Sequence, residues 1–214
     1  MLFSKDTKYD DFNRRIPRLV AEGSKVLDVG CATGKLLEYL RDSKRCQVFG
    51  VEVDRDMAEE ANERCGNVTC VNIEDCGNLP FEKGSFDIII FADVLEHLKR
   101  PDIVLRRAIP YLKDNGYFLF SMPNVAFLTV RLGLLFGKFV YTEYGVLDKT
   151  HLRFFTLKTT RELIEETGLK ITHLEGYNQV RLRYFILKPL GKIFKSIFAT
   201  DFVIKAVVYK QSGQ

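Results

Sequence analysis

The stretch Lys25-Val-Leu-Asp-Val-Gly-Cys-Ala-Thr-Gly34 runs an apolar strand directly into a loop of small residues. Loops of this build let a nucleotide approach the backbone closely, and the spacing decides which kind. A phosphate loop of the G-x-x-x-x-G-K-[ST] type ending at Gly34-Lys35 needs a glycine and a hydroxyl residue where the chain has Val29 and Leu36. A dinucleotide fingerprint, G-x-G-x-x-G, starting at Gly30 needs glycines where Ala32 and Lys35 stand. Two carboxylates point elsewhere. Asp28, in the strand just ahead of the loop, disfavours a pyrophosphate and suits an ammonium group. Glu52, at the end of the next apolar run, is placed to accept both hydroxyls of a ribose. These residues fit a nucleoside joined to an amino acid, without phosphates.

The elements that must hold these residues alternate along the first half of the chain. Val26–Val29 reads as a strand, Lys35–Arg41 as a helix, Gln47–Val53 as a strand, Met57–Arg64 as a helix and Val68–Val71 as a third strand. Phe86–Phe91 (FDIIIF) is apolar at five of its six positions, as in a strand covered on both faces. Ile103–Leu112 reads as a helix, Asn115-Gly116 as a turn and Tyr117–Ser121 as a fifth strand. This alternation predicts an α/β, doubly wound, mostly parallel sheet, whose ligand lies beyond the carboxyl ends of the strands where the order reverses. Val125–Phe139 reads as a helix broken by Gly133 and Gly137, and residues 123–155 form a connection long enough to be a functional insertion covering a substrate. Thr156 is the expected N-cap of Leu157–Thr167, with Gly168 as its stop; Leu169–Leu174 and Phe202–Tyr209 are the last strands.

DVGCATG, GVEVD, LPFEKGSFDIIIFADVLEHL and YLKDNGYFLFSMPN, in this order, resemble the class I S-adenosylmethionine (SAM)-dependent methyltransferases of the broad type 11/12 group, over roughly residues 10–175. The resemblance implies a seven-stranded Rossmann-like fold and SAM as the ligand described above. It makes Asp28, Gly30 and Gly34, with Cys31 and Ala32 between them, the loop for the methionine end. Glu52, with Val53 beside it, takes the ribose, and Ala92 after the fourth strand lines the methionine end. For the adenine, Asn72-Ile73 follow the third strand directly, whereas Asp75-Cys76 fit when counted back from Leu79-Pro80-Phe81; both alignments stay open, with Asn72 and Ile73 first and Asp75 next. The chain departs from the common D-x-G-x-G-x-G pattern at Ala32, which predicts a slightly reshaped loop that still binds.

Methyl transfer from a sulfonium is an in-line displacement that needs alignment and water exclusion, plus a base when the acceptor is a hydroxyl. The insertion carries Asn124, Tyr141, Glu143, Tyr144, Asp148, His151 and Arg153, and its LDKTHLRFFT resembles a stretch in family members associated with sugars and cell-surface intermediates. His151 is the first base candidate, because imidazole titrates near neutral pH, and His97 in VLEHL is the second. The competing reading makes each a structural histidine. His173 takes no role. The expected acceptor is a hydroxyl on a small molecule, such as a sugar or lipid-linked glycan. The alternatives are N- or C-methylation, and a SAM-binding regulatory or partner protein without chemistry.

Length and composition bound the rest. At 214 residues, 46% hydrophobic and 28% charged, the chain reads as one domain, residues 1–214, with a sizeable core. Charges in MLFSKDTKYDDF occupy the place of a signal peptide's apolar core, so a cytoplasmic protein is expected. The five cysteines form no C-x-x-C pair and the three histidines lie downstream of them, which predicts free thiols and no zinc site. The net charge of +4 comes from the tail: residues 181–214 hold seven Lys/Arg against Asp201. With no N-P-P-Y-like or D-P-P-Y-like tetrad and no basic face on the core, nucleic acid is not the expected acceptor. Within the terminal segment 182–210, Pro189–Ala199 is amphipathic. It predicts a helix packed on the domain or a partner subunit, or a peripheral membrane contact through residues 188–199.

Overall fold

A computed structural model of the chain describes residues 12–178 and 194–209. Seven strands form one sheet in the order β3-β2-β1-β4-β5-β7-β6. The chain divides into two compact units, Met1–Ala92 with Ile103–Leu119, and Asp93–Asp102 with Phe120–Gln214.

In the first unit, β1 (Lys25–Val29) pairs in parallel with β2 (Gln47–Glu52) on one side and β4 (Phe86–Ala92) on the other, while β3 (Val68–Cys70) pairs in parallel with β2. The register sets Asp28 opposite Gly50 and Ile90, and Val29 opposite Val51 and Phe91. Strand order therefore reverses between β1 and β4, the place where an open α/β sheet binds its ligand. Phe86, Ile88, Ile89, Ile90 and Phe91 are fully buried. That is the expected continuous apolar strand, each side chain contributing about 1.5–3 kcal/mol of transfer free energy. The short α1 (Ile16–Leu19) precedes β1; α2 (Lys35–Lys44) and α3 (Arg55–Cys65) alternate with the strands, α3 capped by the Asp54 carboxylate on the Met57 N–H.

Two local expectations fail between β4 and β5. The helix over 103–112 is instead α4 (Pro101–Ala108) followed by a tight turn at Ile109–Tyr111 that contains Pro110, and β5 begins already at Leu112. Asn115-Gly116 is no turn: β5 runs unbroken over Leu112–Pro123. A Cβ on Gly116 would stand 2.9 Å from the Asp87 carbonyl and 2.7 Å from the Leu112 side chain. The glycine thus serves close strand approach where its dipeptide signals a turn.

In the second unit, the end of β5 leads to α5 (Leu128–Leu135), α6 (Leu157–Glu166), β6 (Leu169–Tyr177), α7 (Lys195–Phe198) and β7 (Asp201–Val208). β6 and β7 are antiparallel, with a register shift between Ile171 and His173. α5 is shorter than the 125–139 helix expected: the Val125 N–H is held by the Phe155 carbonyl, and Gly137 takes a left-handed backbone just beyond the helix end. Thr156 caps α6 as expected, reciprocally with Thr159. Of the amphipathic tail, only Lys195–Phe198 is seen as helix; Lys188, Leu190, Lys192 and Ile193 lie outside the described residues. No helix among the described residues is long and apolar enough to cross a membrane.

Candidate active site

Beyond Val29 the backbone turns through left-handed residues, Gly30 at φ 74°, Ala32 at φ 47° and Gly34 at φ 79°, before α2 begins. The Gly30 and Cys31 N–H groups both donate to the Val51 carbonyl of β2, at 2.8 and 3.2 Å. A Cβ on Gly34 would lie 3.0 Å from that of Ala61, so α3 leaves no room for a side chain there. Ala32 has no such exemption from sterics, and its conformation costs about 1–2 kcal/mol. What holds it is Glu52. Oε2 of Glu52 accepts the Ala32 N–H at 2.9 Å, while Oε1 accepts the N–H groups of Val53 (2.8 Å) and Asp54 (3.1 Å). The expected reshaping at Ala32 is therefore small, and the loop keeps the path a glycine would take.

Asp28 is buried, and burial first and the Glu52 charge second push its carboxyl up to about 8. Its Oδ1 receives no hydrogen bond among the described residues. A buried acid with an orphaned oxygen at the switch point has a free acceptor for an ammonium group, which matches the expectation for the amino-acid end of SAM. Glu52 fits the other end in part: three backbone donors occupy its oxygens, and a carboxylate offers about four lone-pair positions. Cys31 is buried and its thiol is raised by desolvation, then by Asp28 and Glu52, so it packs as a neutral small residue; a Cβ on Gly50 would fall 2.7 Å from its sulfur.

The two adenine alignments converge in space. Asn72 donates from Nδ2 to Asp75 at 2.6 Å, its Oδ1 accepts the Glu74 N–H, and its backbone carbonyl accepts those of Asp75 and Cys76. Asn72, Ile73 and Asp75 thus belong to one turn, pinned by Arg107 to the carbonyls of Glu74 and Cys76. Ala92 is the half-buried last residue of β4.

The second unit holds a separate cluster. Asp93 has φ 55° and donates its N–H to the Ser121 carbonyl at 3.1 Å. A tight turn at Leu95–His97 follows, and the Glu96 carbonyl accepts the N–H groups of Leu152 and Arg153 from the insertion. This backbone link brings together residues far apart in sequence: the His97 and His151 rings lie 4.8 Å apart, edge to face, and His151 Nε2 is 4.0 Å from Glu96 Oε1. Glu96 is wholly buried, and among the described residues neither of its oxygens receives a hydrogen bond. Burial, then the charge of Asp93, with Asp201 and Asp148 adding, raises its carboxyl well above the usual range. Asp93 is pushed up to about 6 by the surrounding protein, against the lowering effect of the Ser121 hydroxyl. Asp201 is pushed up to about 8 by burial and by Asp93, against its 2.5 Å hydrogen bond from Thr200.

Several insertion residues expected near an acceptor are framework instead. Asn124 is buried and bonds the Ser196 and Ala199 carbonyls and the Ala126 N–H. Asp148 accepts from the Thr150 N–H and hydroxyl, and Arg153 donates to the Lys99 carbonyl. Glu143 pairs with Lys149 at the surface, while Tyr141 and Tyr144 are exposed. Asp93, Glu96 and Asp201 were not singled out in the sequence. Asp93 and Glu96 carried a readable signal, two acids within four residues of the end of a mostly apolar strand; Asp201 carried none, because only the β7 topology brings it there.

A family model described as a methyltransferase domain matches residues 5–174. An uncharacterised protein of Methanocaldococcus jannaschii is 30% identical over 213 residues, covering 90% of this chain and 80% of that one. The ubiquinone biosynthesis O-methyltransferase of Chromobacterium violaceum is 28% identical over 171 residues, covering 76% of this chain and 72% of its own. The crystal structure of a SAM-dependent methyltransferase from Archaeoglobus fulgidus superimposes with a TM-score of 0.65 at 21% identity, covering 90% of each chain, a likeness that speaks for the fold. With the loop, the reversal of strand order at β1/β4 and the family match in agreement, the chain belongs to the methyltransferase-domain family and is a class I SAM-dependent methyltransferase.

Proposed function

We propose that this methyltransferase acts on a hydroxyl of a small molecule, and that Glu96, His97 and His151 activate that hydroxyl. When bound, SAM supplies an electrophilic methyl group on a sulfonium. Asp28 receives its ammonium group, Gly30 to Gly34 admit its chain, Glu52 keeps one acceptor position for the ribose, and the Asn72–Asp75 turn meets the adenine. Ala92 borders the methionine end. The observation that carries the hydroxyl reading is His151 beside the buried carboxyl group of Glu96, Nε2 to Oε1 at 4.0 Å. A neutral amine attacks a sulfonium without prior deprotonation, whereas a hydroxyl needs its proton drawn away, so an imidazole backed by an acid serves the hydroxyl. The name of the Chromobacterium relative, an O-methyltransferase, supports the same reading. Exposed Leu135, Phe136, Val140 and Tyr141 on the insertion suit an acceptor with an apolar portion.

The test is S-adenosylhomocysteine release with a panel of phenols, catechols, sugars and amines. Turnover is expected with a hydroxyl acceptor, falling roughly 10²–10³-fold in His151→Ala while S-adenosylhomocysteine affinity changes less than about twofold. Turnover with amines alone, or unchanged in His151→Ala, overturns the reading.

A further inference from the structure

We infer that Glu96, His97 and His151 form a binding site for a divalent first-row transition-metal ion. The site stands on geometry alone; its use in holding the acceptor oxygen rests on the hydroxyl reading above.

One ligand atom from each residue lies within 4.8 Å of the others. A tetrahedral site with bonds of about 2.1 Å has ligand–ligand edges of roughly 3.4 Å, so modest side-chain rotations close the set. Three further features single it out from a chance grouping. Glu96 is 0% exposed and among the described residues neither of its carboxyl oxygens receives a hydrogen bond, although a buried carboxyl group normally gathers several. Among the described residues no lysine or arginine pairs with it; its ion-pair neighbour is His151. Finally, His97 is already oriented as a metal ligand is: Nδ1 lies 3.2 Å from the Thr150 carbonyl. Donation there would leave the lone pair on Nε2, the outer-shell bond that fixes a ligating imidazole's tautomer.

Two imidazoles and one carboxylate favour a transition ion over magnesium or calcium, which prefer all-oxygen sites. Three protein ligands leave coordination positions open. There an acceptor oxygen would be bound and its proton made more acidic by the metal, so that in the metal-bound protein His97 and His151 act on the hydroxyl through the ion and not as proton acceptors. The linear spacing hides all this, because His151 joins the Glu96-His97 pair only through the insertion.

The protein, stripped with EDTA and dialysed, is titrated with Co²⁺ by visible absorption and with Mn²⁺ and Mg²⁺ by calorimetry. One equivalent of Co²⁺ and of Mn²⁺ is expected, at least about 100-fold weaker in His151→Ala and Glu96→Gln. Melting curves on the same samples show that the variants are folded. A measurement on wild type needs no site variant: substoichiometric Mn²⁺ should broaden the imidazole resonances of His97 and His151. The resonance of His173, exposed on β6 and the remaining histidine, should stay sharp, and His173→Gln identifies it. No stoichiometric binding, equal broadening of all three histidines, unchanged affinity in the variants, or heat with Mg²⁺ alone would each overturn the site. Intact metal binding with full turnover after EDTA treatment overturns only the acceptor role. Absence of turnover with every hydroxyl acceptor, metal bound, fails the hydroxyl reading instead.

Discussion

Glu52 accepts the N–H of Ala32 at 2.9 Å, joining the end of β2 to the one non-glycine residue among the left-handed positions of the β1–α2 loop. The same carboxylate holds Val53 and Asp54, so it shapes the loop before it meets any ligand. Glu52→Gln leaves a single acceptor oxygen and turns an NH₂ group toward backbone donors. Hydrogen bonds to a charged group contribute about 1.5–3 kcal/mol each, so S-adenosylhomocysteine affinity should fall by roughly 10²-fold, with a lower Tm in the ligand-free protein. Calorimetric titration beside a melting curve measures both. Weakened binding at an unchanged Tm would confine Glu52 to ligand contact and contradict its place in the loop.

Ala32→Gly removes the steric cost of φ 47° and keeps the N–H that Glu52 accepts. Glycine loses more entropy on folding, which takes back part of the gain. The net expectation is a stabilisation of about 0.5–1 kcal/mol by urea unfolding, with S-adenosylhomocysteine affinity within roughly threefold. A destabilised variant would mean that the Ala32 methyl makes a contact worth more than the strain.

Asp28 makes both stability and binding depend on pH. Its folded-state carboxyl titrates at about 8, above the ordinary 3.8. The native state thus keeps a proton that the unfolded chain has lost across that window. The contribution to stability is fully present below pH 3.8 and is lost as pH rises to about 8. An ammonium-bearing ligand runs the other way, since it needs the carboxylate. S-adenosylhomocysteine affinity should rise with pH toward 8 by up to about tenfold per unit, with release of about one proton seen by calorimetry in buffers of different ionisation enthalpy. Asp28→Asn should flatten that slope; Asp201, also titrating at about 8, remains in the variant and serves as the control. An unchanged slope would place the proton on another group.

What could be read from the sequence was local. The β1–α2 loop is contiguous, and its small residues, its acid and the following amphipathic helix carry their meaning within ten positions of the chain, so its geometry followed. β4 was equally plain, because five of the six residues Phe86–Phe91 are apolar and buried, and the one acid, Asp87, stands near the strand's start. Asn115-Gly116 misled, since a dipeptide that favours turns stands where close approach to Asp87 of β4 forbids a side chain. The cluster around Glu96 was half visible. His97 and His151 were named singly, but their meeting depends on two N–H groups of the insertion reaching the Glu96 carbonyl, a contact with no periodic signature. Asn124 shows the same limit from the other side: its place in the insertion suggested acceptor binding, and its amide is instead spent on backbone groups that only the folded chain brings near.

That use of Asn124 predicts a purely structural phenotype. Its Nδ2 donates to the carbonyls of Ser196 (3.2 Å) and Ala199 (2.8 Å), its Oδ1 accepts from Ala126, and its own N–H donates to Thr200, all in a fully buried setting. Asn124→Ala leaves these side-chain partners unsatisfied, at about 2–4 kcal/mol, read as a Tm lower by roughly 4–16 °C. Asn124→Asp keeps the shape and the acceptor for Ala126 but sets a carboxylate against two carbonyls. It should therefore be at least as destabilising at neutral pH and recover in part in acid, where protonation restores one donor. Because these bonds all lie in the second unit, S-adenosylhomocysteine affinity measured well below the Tm should stay within about twofold in both variants. An aspartate variant as stable as wild type would show that the amide's two donations contribute nothing, and a parallel loss of ligand affinity would tie Asn124 to the cofactor loop.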